Sequence, residues 1–191
     1  MKSDRKPEAD RLGPLSMEQM SNAQRVVAQA IIDGPRGAVY GPFVPLLRSP
    51  ELMQHAQRMG EYLRFRSAIG TRLSELAILV TARQWNQKVE WAIHAPIAFQ
   101  CGIDRAIIDA IGARQAPAGL REDEAAVIDF CTELHCDKRV SDGTYARARS
   151  LFGDHGVVDL MGLNGYYTFL AMIMNSAQTA LPPDASWLLP D

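Results

Sequence analysis

Cysteine is scarce in this sequence: Cys101, Cys131 and Cys136 are the whole complement, with no Cys-x-x-Cys pair. An odd number at these spacings excludes a disulfide framework and suits a reducing compartment, with the thiols packed as small hydrophobes. It also leaves His135, between Cys131 and Cys136, without a recognised zinc pattern, so no metal is expected. Aromatics make up 7% of the chain and charge is balanced, with 20 Lys+Arg against 22 Asp+Glu. No basic stripe tracks a phosphate backbone, and nucleic acid is not an expected partner. No apolar run reaches the ~18 residues that span a bilayer. The nearest, residues 157–177, is interrupted by Asp159, Gly162, Asn164 and Gly165 and reads as a buried helix, so no membrane partner is expected either. The charged, Pro-containing start, residues 1–14, lacks the apolar centre of a secretory signal, and the expected location is cytoplasmic. No stretch alternates as a strand does.

What is present is helical, in 191 residues of which 47% are hydrophobic, enough for one well-filled core. We expect a free N-terminal segment over residues 1–16 and one all-helical domain over 17–191. Met20, Val26, Val27, Ala30 and Ile31 predict a helix over 17–32 that Gly34-Pro35 stops. Residues 35–50, with Pro42, Pro45, Gly37 and Gly41, read as an extended loop wrapping the surface or a pocket mouth. Ser49-Pro50 opens a helix to Phe65, and Gly70-Thr71 caps another to about Gln84. A further helix runs from Val89 to Cys101 and ends at Gly102. Others are expected at 104–111, 122–134, 144–152 and 157–177. The tail 182–190 reads as extended, with Trp187, Leu188 and Leu189 apolar enough to dock on the body or on another subunit.

Chemistry concentrates in Glu90-Trp-Ala-Ile-His94. Glu90 and His94 stand at i and i+4, on one helix face with Cβ atoms about 6 Å apart. Glu75 would lie about 22 Å from Glu90 along one straight helix, at ~1.5 Å per residue. It joins them only if the chain turns near Trp85 to Gln87, where Asn86 is available as an N-cap. Two carboxylates and an imidazole in an apolar helical pair are proton-transfer groups, and burial would press each toward its neutral form. The plainer reading of the same spacing is a structural hydrogen bond. Arg64, Arg66, Arg72, Arg83 and Lys88 are the nearby cations.

Glu75, the run Glu90-Trp-Ala-Ile-His94-Ala-Pro-Ile-Ala and Gly102 resemble the signature region of the carboxymuconolactone decarboxylase family, within the alkylhydroperoxidase D-like superfamily. The resemblance is best over residues 42–112, and residues 120–134 and 162–180 look like the extra helices of its longer bacterial members. It implies an all-α, alkylhydroperoxidase D-like multi-helix bundle and a homo-oligomer. In redox-active relatives a glutamate precedes Cys-x-x-Cys-x-x-His; the glutamate matches Glu75, the histidine His94, and the two cysteine positions fall on Gln87 and Glu90. No thiolate stands there to attack a peroxide.

The resemblance therefore implies a lyase of the γ-carboxymuconolactone decarboxylase kind, acting without metal or organic cofactor on a small unsaturated lactone or carboxylic acid. Glu75, Glu90 and His94 would be its catalytic residues, with Trp91 and Phe43 as apolar walls for the substrate. Two other classes compete: a non-redox helical oligomer serving as a small-molecule binding module, and a thiol-dependent antioxidant protein, which the missing Cys-x-x-Cys disfavours. Blocking Cys101 with a thiol reagent separates the first from the last. Acid/base chemistry predicts unchanged turnover, and loss of activity would restore the thiol mechanism.

Overall fold

The computed structural model describes residues 10–191, so most of the expected free N-terminal segment lies outside the described residues. Eight helices and no strand are found among them: α1 (Asn22–Ile32), α2 (Phe43–Leu46), α3 (Pro50–Phe65), α4 (Gly70–Gln84), α5 (Lys88–Gln100), α6 (Arg105–Gly112), α7 (Glu122–Cys136) and α8 (Asp142–Ala177). The fold is all-α, as the periodicity predicts.

α4 is the axis of the bundle, packed against α5, α7 and α8. Its sequence explains the position. From Leu73 to Arg83 every residue is buried, and Leu76, Ala77, Ile78, Leu79 and Ala82 are wholly so. A helix apolar on all sides is stable only when surrounded.

Local chemistry sets the ends. Ser21 and Gln24 form a reciprocal capping box, so α1 begins at Asn22 rather than at Met17. The 35–50 segment is not wholly extended: Pro42 precedes a single helical turn, α2, that buries Phe43 and Leu46. Pro50 occupies the first position of α3 as expected. α8 merges the two helices predicted near its ends across a break at Gly153, whose φ of 67° only glycine adopts readily. This helix is long and apolar enough to cross a membrane, with a mean hydropathy of 1.3 over its best window, yet 56% of that window is buried against the bundle.

Both ends of the described chain are tied down. The Arg11 N–H donates to the Ala177 carbonyl at 2.9 Å, and Arg48 Nη2 donates to the Gly13 carbonyl at 2.6 Å. In the tail Leu189 is buried, Trp187 packs on Phe99 under the Arg105 guanidinium, and Leu188 is exposed.

α3 and α8 meet where Gly60 faces Tyr166. A Cβ at Gly60 would lie 2.1 Å from the Tyr166 hydroxyl and 2.5 Å from its ring. That ring is buried and stacked edge-on against Tyr167 at 5.2 Å, so it has nowhere to retreat. Gly60→Ala is therefore expected to cost about 1–3 kcal/mol in urea denaturation. Gly165→Ala, where a Cβ meets nothing, serves as the control and should be neutral or slightly stabilising.

Candidate functional site

The α4–α5 hairpin is built by its turn. Trp85 ends α4, Asn86 takes the left-handed conformation at φ 49°, and Gln87 becomes the N-cap of α5. The Gln87 side chain accepts from the Val89 and Glu90 N–H groups at 2.7 and 3.2 Å. Sequence reasoning expected Asn86 as the cap. Asparagine tolerates the left-handed region that reverses the chain, and the capping duty passes to the next residue. α8 clamps the corner: Gln87 Nε2 donates to Asn175 Oδ1 at 2.8 Å, and Asn175 Nδ2 donates to the Trp85 carbonyl at 3.0 Å.

This turn carries Glu75 back beside His94. The His94 Nδ1–Glu75 Oε2 distance is 2.6 Å, and Arg64 Nε from α3 donates to Glu75 Oε1 at 3.2 Å. Glu75 is wholly buried, and Glu90, His94 and Arg64 nearly so. Tyr167 from α8 meets the imidazole edge-on at 5.3 Å. Glu90, His94, Arg64 and Tyr167 line a narrow cavity together with Arg36, Tyr40 and Phe43. Its free volume is about 20 Å³, room for about one water.

The polar groups here are unevenly satisfied. Burial pushes Glu75 up, but His94 and Arg64 outweigh it and hold the carboxyl below its usual range. An ionised Glu75 only accepts, so the hydrogen on the shared bond belongs to His94 Nδ1. Burial drives His94 down toward the neutral ring, against the pull of Glu75 and with the push of Arg64 and Arg36. Its Nε2 is then a free base. Glu90 is the opposite case: burial, reinforced by the Glu75 charge, raises it well above the carboxylate range despite Arg36 and Arg64. Glu90 Oε2 and the Nε and Nη2 of Arg36 are buried without a partner among the described residues. With Glu90 and His94 neutral, two guanidiniums face one carboxylate, and the cavity carries one positive charge in surplus.

No protein-family model matches the chain, and no curated protein does. Solved structures do match. An alkylhydroperoxidase AhpD core, an uncharacterized peroxidase-related protein from Ralstonia eutropha JMP134, superposes with a TM-score of 0.73 at 14% identity, over 91% of this chain and 93% of that one. A peroxidase-related protein from Silicibacter sp. TM1040 gives 0.72 at 14% identity over the full length of both. A cysteine-to-alanine variant of the debrominase Bmp8, in complex with 2,3,4-tribromopyrrole, gives 0.72 at 11% identity over 93% and 95%. The chain has the AhpD-like fold.

Within this AhpD-like bundle the cysteines stand away from the Gln87 and Glu90 positions. Cys131 is buried, accepts from Asn164 Nδ2, and burial pushes its thiol up to about 12. Cys101 is half-buried, and burial raises it as well. Among the described residues no cluster of His, Cys, Asp and Glu could hold a metal; His135 instead meets the Thr81 hydroxyl at 3.2 Å.

Two expectations need correction. His94 pairs with Glu75 and not with Glu90, its i,i+4 neighbour. Trp91 is not a wall of the cavity: it packs on the Gly112 side, where a Cβ would lie 3.0 Å from its ring. The cavity face of α5 is Glu90, Ile93 and His94, the i, i+3, i+4 set, and position 91 turns about 100° away from it. Of Arg64, Arg66, Arg72, Arg83 and Lys88 only Arg64 lines the cavity. Arg72 pairs with Asp123 and Glu124, Lys88 with Asp191, and Arg83 with the Pro190 carbonyl. Arg36, which sequence reasoning did not single out, enters instead. Its signal was a lone cation in Gly34-Pro35-Arg36-Gly37, inside a segment read as a pocket mouth.

Glu90 also sets a pH dependence of stability. Its native pKa is raised, so the folded state holds a proton the unfolded chain releases, and stability falls as pH rises from the ordinary carboxylate range through the native value. Glu90→Gln removes the titration. In urea denaturation at pH 4.5, 7 and 8.5, the variant should gain on the wild type as pH rises, and equal slopes would overturn the neutral Glu90.

Proposed function

We propose that the chain is a cofactor-independent acid/base lyase of the carboxymuconolactone decarboxylase type, acting on a small unsaturated lactone or carboxylic acid. The carrying observation is the split between two buried carboxyls in one site: Glu75 ionised against Arg64 and His94, Glu90 neutral and unpartnered. Environments that push paired groups apart are how one site holds an acid and a base at the same pH.

The surplus positive charge and the orphaned Arg36 donors favour an anionic substrate, since guanidinium binds carboxylate through two parallel bonds. Cleavage of the substrate's C–CO2 bond releases carbon dioxide and leaves its electron pair delocalised as a dienolate. Glu90 gives its proton to carbon. Glu90, now a carboxylate, recovers a proton from water through His94 Nε2, and the net reaction consumes one proton per carbon dioxide formed. Glu75 fixes the imidazole tautomer and orientation. The debrominase neighbour binds a small ring compound, which supports a ring-sized ligand for this fold.

The small cavity favours a second reading, a helical binding module, because about 20 Å³ admits no such ring unless lining side chains move. Turnover separates the two. With γ-carboxymuconolactone as substrate and carbon dioxide release as readout, Glu90→Gln or His94→Ala should lower kcat by about 10²-fold or more. Wild-type activity should fall as pH rises through the raised Glu90 pKa. Activity retained in both variants sinks the assignment, and binding without turnover selects the module.

A further inference from the structure

A larger cavity lies away from the acid/base site, between the C-terminal half of α4, the end of α6, the 113–120 connection and α7. Its volume is about 430 Å³, within the range of small-molecule pockets. Ile111, Leu120 and Ile128 supply aliphatic walls, Arg83 and Arg114 supply positive charge, and among the described residues Asp129 is the one carboxylate in the lining.

The two arginines are the unusual part. Arg83 is 93% buried, yet its Nε has no partner among the described residues and its Nη1 donates only to the neutral Pro190 carbonyl at 2.6 Å. Arg114 is held by neutral acceptors as well, with Nη2 donating to Asn86 Oδ1 at 2.8 Å and to the Arg83 carbonyl at 3.3 Å. Asp129, which also lines the cavity, is paired with Arg147, and Asp191 is hydrogen-bonded to Lys88. Burial and the facing Arg114 both press on the Arg83 cation and outweigh the support it draws from Asp191. A buried guanidinium whose counter-charge is the solvent-exposed Asp191, itself paired with Lys88, beside a second guanidinium and above an apolar cavity, is complementary to a molecule with one anionic head and an aliphatic body.

We propose that this second cavity binds a small amphipathic monocarboxylate, its head on Arg83 and Arg114 and its body against the aliphatic walls. Because Arg83 also holds the C-terminal tail, such a ligand would share a residue with the strap that crosses α4 and α5.

Octanoate is the probe, with octanol as its neutral counterpart, measured by isothermal titration calorimetry on the full chain. Saturable octanoate binding is expected, with octanol at least tenfold weaker. Arg83→Met should weaken octanoate at least tenfold and Arg83→Lys less. Since Arg83→Met also frees the tail, Ala116→Trp is the second variant: it fills the cavity from an exposed position in the 113–120 connection and should abolish binding with the melting temperature unchanged. Equal binding of octanol, or retention in both Arg83→Met and Ala116→Trp, overturns the proposal. So does loss with Arg36→Ala, which would place octanoate in the acid/base cavity. A changed oligomeric state of Ala116→Trp in light scattering overturns it too, by assigning the cavity to a second copy of the chain.

Discussion

Glu75 sits in the most enclosed part of the bundle, where an isolated carboxylate would cost several kcal/mol in lost hydration. It is tolerated because each of its oxygens has a partner, Arg64 on one and His94 on the other. Removing one member of such a buried set typically costs about 3–5 kcal/mol, because the remaining charge is left uncompensated. Three helices are thereby fixed to one another: Arg64 belongs to α3, Glu75 to α4 and His94 to α5. The turn at Trp85 to Gln87, the Gln87 cap and the clamp from Asn175 all serve the same end, bringing α5 back along α4 in the register that lets these partners meet.

With that triad satisfied, what is left over has meaning. Among the described residues Glu90 and Arg36 both carry buried polar atoms with no partner, and both line the same cavity. An unsatisfied buried group costs about 1–3 kcal/mol, and a fold keeps such a cost where the group has a use. Glu90 Oε2 has no hydrogen-bond partner among the described residues, and burial beside the Glu75 carboxylate keeps the group neutral. The carboxylate that ties the three helices together thus also helps to hold the acid neutral.

Helices were legible in the sequence because apolar periodicity and end signals agree: Ser49-Pro50 opens α3 and Gly102 follows α5, each for a local reason. Failures came where tertiary context decided. α2 lies in a segment whose prolines argue against a helix, yet burial of Phe43 and Leu46 compensates for one turn. The need for a turn between Glu75 and Glu90 was deducible from helical rise alone, whereas its cap was not, since Asn86 and Gln87 both had suitable side chains. Partner choice for His94 was illegible. The i,i+4 rule gives proximity along one helix, and a contact across two helices depends on their packing. Arg36 was illegible for the same reason, a long side chain on a Pro/Gly loop whose path only the fold defines.

The Gln87 and Glu90 positions show how one scaffold accommodates different chemistry. By the resemblance to redox relatives, both would be cysteines, one turn of helix apart at the mouth of α5. Here Gln87 is spent on structure, capping α5 and bonding α8, and Glu90 faces the cavity. Neither substitution touches the Arg64–Glu75–His94 set, whose bonds run between α3, α4 and α5 without them. The frame that holds an imidazole against a buried carboxylate is thus independent of what stands one turn before the histidine. At position 90 that frame sets a carboxyl in a buried place and in the field of Glu75, and both effects hold it neutral.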